Sequence, residues 1–106
     1  MKVFISQPMK DKTEQEIKIE RDLAMDTVAS FLVRKPEFID NYFNDAVSSG
    51  AKNDEAIAII YLARSIELMA QADVAFFCKG WEQARGCRIE HAVAKDYGIT
   101  IIEEGD

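Results

Sequence analysis

The sequence predicts an α/β protein, an open parallel four-stranded sheet with helices on both faces, in the order β-α-β-α-β-α-β. Three observations predict it. The chain opens on a short apolar, partly β-branched run, Lys2–Ser6, that ends at Gln7-Pro8. Ala72–Cys78 is apolar almost throughout, as a central parallel strand covered on both faces must be. Segments of helical period alternate with such runs, the pattern of right-handed crossovers. Four strands are too few to close a barrel, so a flavodoxin-like or Rossmann-like sandwich follows, with expected strand order 2-1-3-4.

Each element has its own signal. Lys2–Ser6 reads as the first strand, and Pro8, lacking an N–H, breaks the ladder after it. A loop runs through Met9–Lys12. Thr13 is placed to cap a helix, with Glu16 three residues on to close a capping box. Ile17, Ala24, Val28, Phe31 and Leu32 recur at the helical period, and the helix should end before Pro36. Glu37–Asp40 is a weak second strand, which Asn41–Phe43 either continues or leaves as loop. Val47–Gly50 reads as loop.

Asn53 or Asp54 caps a second helix running to about Ala70, with Ile57, Ile60, Tyr61 and Met69 on its buried face. After the Ala72–Cys78 strand, Lys79–Glu82 is loop. A third helix starts near Gln83–Gly86 and runs to Tyr97, with Ile89, Val93 and Tyr97 on one stripe. Gly98 stands where a glycine past a helix end belongs. Ile99–Ile102 is the last strand, followed by a short acidic tail.

Composition narrows the function classes. The chain of 106 residues is 48% hydrophobic and 30% charged, an ordinary globular profile that fits a single domain spanning 1–106. Its net charge of −6 argues against a nucleic-acid polymer as partner, since phosphate backbones need a basic face. The apolar runs are far too short to span a membrane. The N-terminus enters a strand at once, without a signal segment, so a cytoplasmic location is expected. Cys78 and Cys87 have neither zinc nor disulfide-framework spacing and read as reduced packing residues. No phosphate-loop lysine motif, dinucleotide glycine fingerprint or Ser-His-Asp arrangement occurs, and the loop after the first strand holds no glycine. No cofactor and no metal are expected.

In open parallel sheets ligands bind beyond the carboxyl ends of the strands, where the strand order reverses. That singles out two loops, Gln7–Lys12 and Lys79–Arg88. The second runs into Glu90, early on the third helix. An ionised carboxylate at the sheet edge, favoured by the helix N-terminus, is a nucleophile toward an electrophilic sugar carbon. Periodicity alone equally describes a solvated or salt-bridged helix carboxylate. Trp81 either stacks on a nucleobase or anchors its loop. Gly86 either lets a ligand approach the backbone or eases the loop into the helix. Arg85 and Arg88 hold a phosphate, or pair on the surface with Glu82. His91 points about 100° away from Glu90 on a helix, which makes it a surface or interface histidine rather than its acid–base partner.

Two segments carry a resemblance. Phe4-Ile5-Ser6-Gln7-Pro8-Met9, followed by a helix, resembles the first strand and loop of the nucleoside 2-deoxyribosyltransferase-like superfamily. Ala72–Phe77, leading to Gly86-Cys87-Arg88-Ile89-Glu90-His91-Ala92-Val93-Ala94, resembles its second signature. The Ile-Ser-Gln-Pro-Met start and the Gly-Trp-Glu loop are closest to a short bacterial and phage branch of unassigned function. The resemblance implies that Glu90 is the nucleophile. Gln7, Pro8 and Met9 fall on the loop that frames the sugar and base, and Gly86 on the turn beneath the sugar. Phe4 and Ser6 stand near the place of the superfamily's aromatic hydroxyl, and Ser6, with the Trp81 and Arg85 read above, joins the expected substrate contacts.

The implied reaction cleaves the N-glycosidic bond of a 2-deoxynucleoside or its monophosphate by double displacement. The implied assembly is a homodimer or larger homo-oligomer. Three departures stand out: Glu82-Gln83-Ala84-Arg85 lacks the transferases' aspartate, the first strand lacks their tyrosine, and the tail beyond Ile102 is short. They shift weight from base exchange toward hydrolysis, or toward a non-catalytic module that binds a nucleotide-like ligand.

Overall fold

The computed structural model describes residues 1–41 and 51–105. Its elements are β1 (Lys2–Ser6), α1 (Glu14–Phe31), β2 (Glu37–Phe38), α2 (Asp54–Met69), β3 (Val74–Phe77), α3 (Arg85–Asp96) and β4 (Thr100–Glu103). All strand pairs are parallel and the order is β2-β1-β3-β4, as the sequence predicts. β1 and β3 form the centre, with Val3 beside Val74 and Ser6 beside Phe77.

Strand side chains alternate between faces. Val3, Ile5, Phe76 and Cys78 pack with Ala24 and Val28 of α1. Phe4, Ala75 and Phe77 pack on the other face with Met69 of α2 and Ala94 of α3. The sheet thus has one helix on one side and two on the other.

The helix ends follow local chemistry. The Glu16 N–H donates to Thr13 Oγ1 at 3.1 Å while the Thr13 N–H donates to Glu16 Oε1 at 2.9 Å, the full capping box. Asn53 caps α2 by accepting from the Ala56 N–H at 2.9 Å. α3 closes on Gly98 at φ 75°, where Ile99 N–H reaches Ala94 O and Gly98 N–H reaches Lys95 O. These are the two bonds of a Schellman motif, and its left-handed residue favours glycine.

The structure departs from the expectations in several places. β2 is confined to Glu37–Phe38 of the expected Glu37–Asp40, and β3 to Val74–Phe77 of Ala72–Cys78. The expected Lys79–Glu82 loop contains a 3₁₀ turn over Trp81–Gln83. The expected loop at Val47–Gly50, like Tyr42 and Phe43, lies outside the described residues. Phe31 is largely exposed at the end of α1, although its ring lies 6.4 Å from that of Phe76.

The larger correction concerns α3. Ile89 is 40% and Tyr97 81% exposed, so of the stripe through Ile89, Val93 and Tyr97 only Val93 packs against the core. The buried residues are Cys87, Glu90 and Ala94. A search for apolar period passes over an inward carboxylate, so it locked onto the neighbouring stripe.

Candidate functional site

The pleat that sends Phe4 toward α2 and α3 also sends Ser6 there, two residues on. Ser6 ends β1, next to β3, at the point where connections leave the sheet centre in opposite directions. Glu90 comes from α3 to meet it. The Ser6 hydroxyl donates to Glu90 Oε1 at 2.6 Å, the short length of a charge-assisted bond. Ser6 is 1% and Glu90 7% exposed.

Burial pushes the Glu90 carboxyl above its ordinary value, against the hydrogen bonds from Ser6 and then Ser65, which hold it down. The expected help from the helix N-terminus does not decide its charge. Glu90 is the sixth residue of α3, and that field fades within the first turn. Burial also pushes Cys87 to about 11 and Cys78 to about 12, so both thiols stay protonated near neutral pH.

Glu90 and Ser6 lie in a cleft of about 970 Å³. The β1 loop lines it through Pro8 and Met9, the start of α3 through Arg85 and Gly86, and α2 through Tyr61 and Ser65. That size is within the range of small-molecule sites in general. A Cβ built on Gly86 meets nothing within 4 Å, so Gly86 borders empty space rather than satisfying a packing need. The cleft gathers eight of the nine site candidates singled out in the sequence, namely Ser6, Gln7, Pro8, Met9, Arg85, Gly86, Arg88 and Glu90.

Trp81 is the exception. Its ring stacks on His91 at 3.9 Å and 7° and lies 5.8 Å from the ring of Phe77. It is a loop anchor, and a nucleobase in the cleft finds no platform there. His91 in turn places Nε2 2.8 Å from Glu103 Oε2 on β4.

Gln7 lines the cleft, but its amide is engaged inside the fold. Nε2 donates to Ile17 O at 3.1 Å, and Oε1 accepts from Arg21, which also donates to Ile39 O at 2.9 Å. Gln7 thus ties the β1 loop to α1. Arg85 pairs with Glu55 of α2 at 2.8 Å, not with Glu82, and Arg88 donates to the Glu82 carbonyl at 3.1 Å.

Sequence reading missed Ser65, Glu55 and Asn41. Ser65 lies one turn before the buried Met69, a polar residue in phase with a buried face, and that signal was available. Asn41 donates to Ile5 O at 2.9 Å from a buried position. Among the described residues no group of three or more His, Cys, Asp or Glu side chains could hold a metal ion.

Fold and site together define a parallel α/β domain with a buried carboxylate at the point where strand order reverses. The chain belongs to a family described as a domain of unknown function (DUF4406), whose model matches residues 1–103. No curated protein and no solved structure matches it.

Proposed function

We propose that this protein cleaves or transfers at the N-glycosidic bond of a (2-deoxy)nucleoside or nucleotide, with Glu90 as the nucleophile. The observation that carries the reading is the Glu90 carboxylate, buried at the wall of a cleft of small-molecule size and bonded by the Ser6 hydroxyl. The resemblance of the Ser6–Met9 and Gly86–Ala94 segments to the nucleoside 2-deoxyribosyltransferase-like superfamily supports the same role.

In this reading the ionised Glu90 attacks the anomeric carbon through an oxocarbenium-like transition state. The C–N bond breaks, its electron pair leaves with the base, and a glycosyl ester forms on Glu90. A second base or water then attacks the same carbon, the ester C–O bond breaks to return the carboxylate, and the attacking group's proton passes through solvent to the departed base. Pro8 and Met9 border the base and sugar, and Gly86 leaves room for the sugar. Arg85 lines the cleft, with Arg88 and Lys10, as a cation for a 5′-phosphate.

A second reading is a module that binds such a ligand without turnover. It is favoured by the other carboxylates that line the cleft among the described residues, Glu14 and Glu55. Glu55 is already paired with Arg85, and Glu14 is exposed in the first turn of α1, so neither is set to protonate a leaving base.

The deciding experiment incubates purified protein with the four deoxynucleosides and their monophosphates, with and without a free acceptor base, beside Glu90→Gln. Free base released only by wild type supports cleavage, and acceptor dependence identifies a transferase. Ligand binding without release by either protein favours the second reading.

We also place the protein in the cytoplasm, where the free thiols of Cys78 and Cys87 would stay reduced. No helix among the described residues is long and apolar enough to cross a membrane. Homo-oligomer formation belongs to the same proposal. α2 is apolar around most of its circumference, with Ile59 67% exposed, the composition of a helix covered on more than one side. A monomer by sedimentation at micromolar concentration would overturn it.

A further inference from the structure

α2 buries two residues, Met69 and Ser65. Met69 packs into the core with Phe4 and Phe77. Ser65 is only 6% exposed, and burying a hydroxyl is unfavourable unless it finds a partner. It lines the same cleft as Ser6 and Glu90, so three elements, β1, α2 and α3, each bring one buried polar side chain to that cleft.

A carboxylate offers about four lone-pair sites, and a buried one is stable as an anion only when donors fill several of them. Ser6 has a single hydroxyl proton, spent on Oε1. A second donor has to come from another element, and Ser65 is the buried hydroxyl that α2 supplies.

We propose that Ser65 is a positioning residue for Glu90, holding the carboxylate together with Ser6 in the orientation and charge that attack on the sugar requires. The role rests on the reading of Glu90 as nucleophile. It makes α2 part of the reaction machinery, although no α2 residue need touch the reacting carbon. In keeping with this placement, the Ser65 hydroxyl acts to lower the Glu90 pKa against the larger, opposite effect of burial.

The test compares wild type, Ser65→Ala and Ser65→Thr. Alanine is the stronger helix former, so α2 should persist in the first variant, which a thermal melt checks. Carbon-detected NMR titration of the Glu90 carboxyl, without substrate, reads the contact directly. Ser65→Ala should move the Glu90 midpoint upward and Ser65→Thr, which keeps the hydroxyl, should restore it. With substrate, Ser65→Ala should lower kcat roughly tenfold with KM nearly unchanged, and shift the acid limb of the pH profile upward.

An unchanged Glu90 midpoint in Ser65→Ala would overturn the proposal whatever the activity. An upward shift in a protein whose wild type releases no base from any nucleoside or nucleotide overturns the reading of Glu90 as nucleophile. The catalytic role of Ser65 falls with it. The two failures are thereby told apart.

Discussion

Ser6 and Glu90 are 84 positions apart in sequence and 2.6 Å apart in the fold. The parallel pairing of β1 with β3 and the α3 crossover bring them together, and the pleat aims Ser6 at the side where α3 lies. Burial raises the Glu90 pKa while two hydroxyls restrain it, so its titration falls above the ordinary range for an exposed glutamate. The nucleophile must be ionised. Activity should therefore be lost on acidification at a higher pH than an unperturbed carboxylate would give. A kcat/KM profile from pH 4 to 9 checks this, and an acid limb centred at or below about 4.3 would contradict it.

The same shift predicts how stability depends on pH. The folded state binds the Glu90 proton more tightly than the unfolded chain does, so ionisation opposes folding. Stability is therefore lost as pH rises from the unfolded value through the raised folded one. Glu90→Gln carries no such penalty. It should melt a few degrees higher than wild type at pH 7, on the order of 1 kcal/mol. The gap should close below pH 4, where the wild-type side chain is neutral too. Differential scanning calorimetry at both pH values decides it. A less stable variant at pH 7 would mean that the carboxylate contributes more through hydrogen bonding than it loses by burial.

Gly86 offers a way to locate the ligand. A Cβ there meets no atom, so Gly86→Ala should fold normally and gain about 0.5 kcal/mol from reduced freedom of the unfolded chain. If the sugar lies over this turn, the added methyl group occupies its space. Affinity for a deoxynucleoside monophosphate, measured by titration calorimetry, should then fall at least about tenfold. Unchanged affinity in a stable variant would place the ligand elsewhere in the cleft.

Trp81 should behave as a packing residue. Its ring is stacked on His91 and tilted against Phe77, outside the cleft. Trp81→Ala is expected to cost about 2–3 kcal/mol, seen as a lower midpoint in urea. Trp81→Phe should recover part of that loss. Ligand affinity under conditions where the alanine variant is folded should change little. Loss of binding in a folded Trp81→Phe protein would restore the indole to the site.

Much of the fold was legible because local signals and topology agreed. Thr13 with Glu16, Asn53, Pro36 and Gly98 each marked a helix boundary, and Ala72–Cys78 had the composition of a doubly covered strand. The inward face of α3 was not legible by period, because Glu90 occupies a core position that hydrophobic counting assigns to apolar residues. Glu90 was singled out instead by its place just after the Lys79–Arg88 loop at the sheet edge, and then by resemblance. Glu55 was missed because its role depends on α2 lying beside α3, a long-range contact, whereas Ser65 could have been found from its phase with Met69. Trp81 shows the reverse case. Its loop was read well, but which side of the loop its ring takes is set by His91, ten residues on.

Arg85 and Glu55 bridge the cleft between the start of α3 and the first turn of α2, with both side chains well exposed. An exposed pair of this kind adds little to stability, so Glu55→Gln should leave the melting curve within about 0.5 kcal/mol of wild type. Its effect should appear in binding. A phosphate-bearing ligand that uses Arg85 must compete with the Glu55 carboxylate, and removing that competitor should tighten a nucleoside monophosphate about threefold. The gain should shrink as salt rises from 20 to 200 mM, because the competing charges are screened. Arg85→Ala should weaken the monophosphate about tenfold while leaving the unphosphorylated nucleoside unchanged. Equal losses for both ligands would show that Arg85 supports the cleft rather than reading the phosphate.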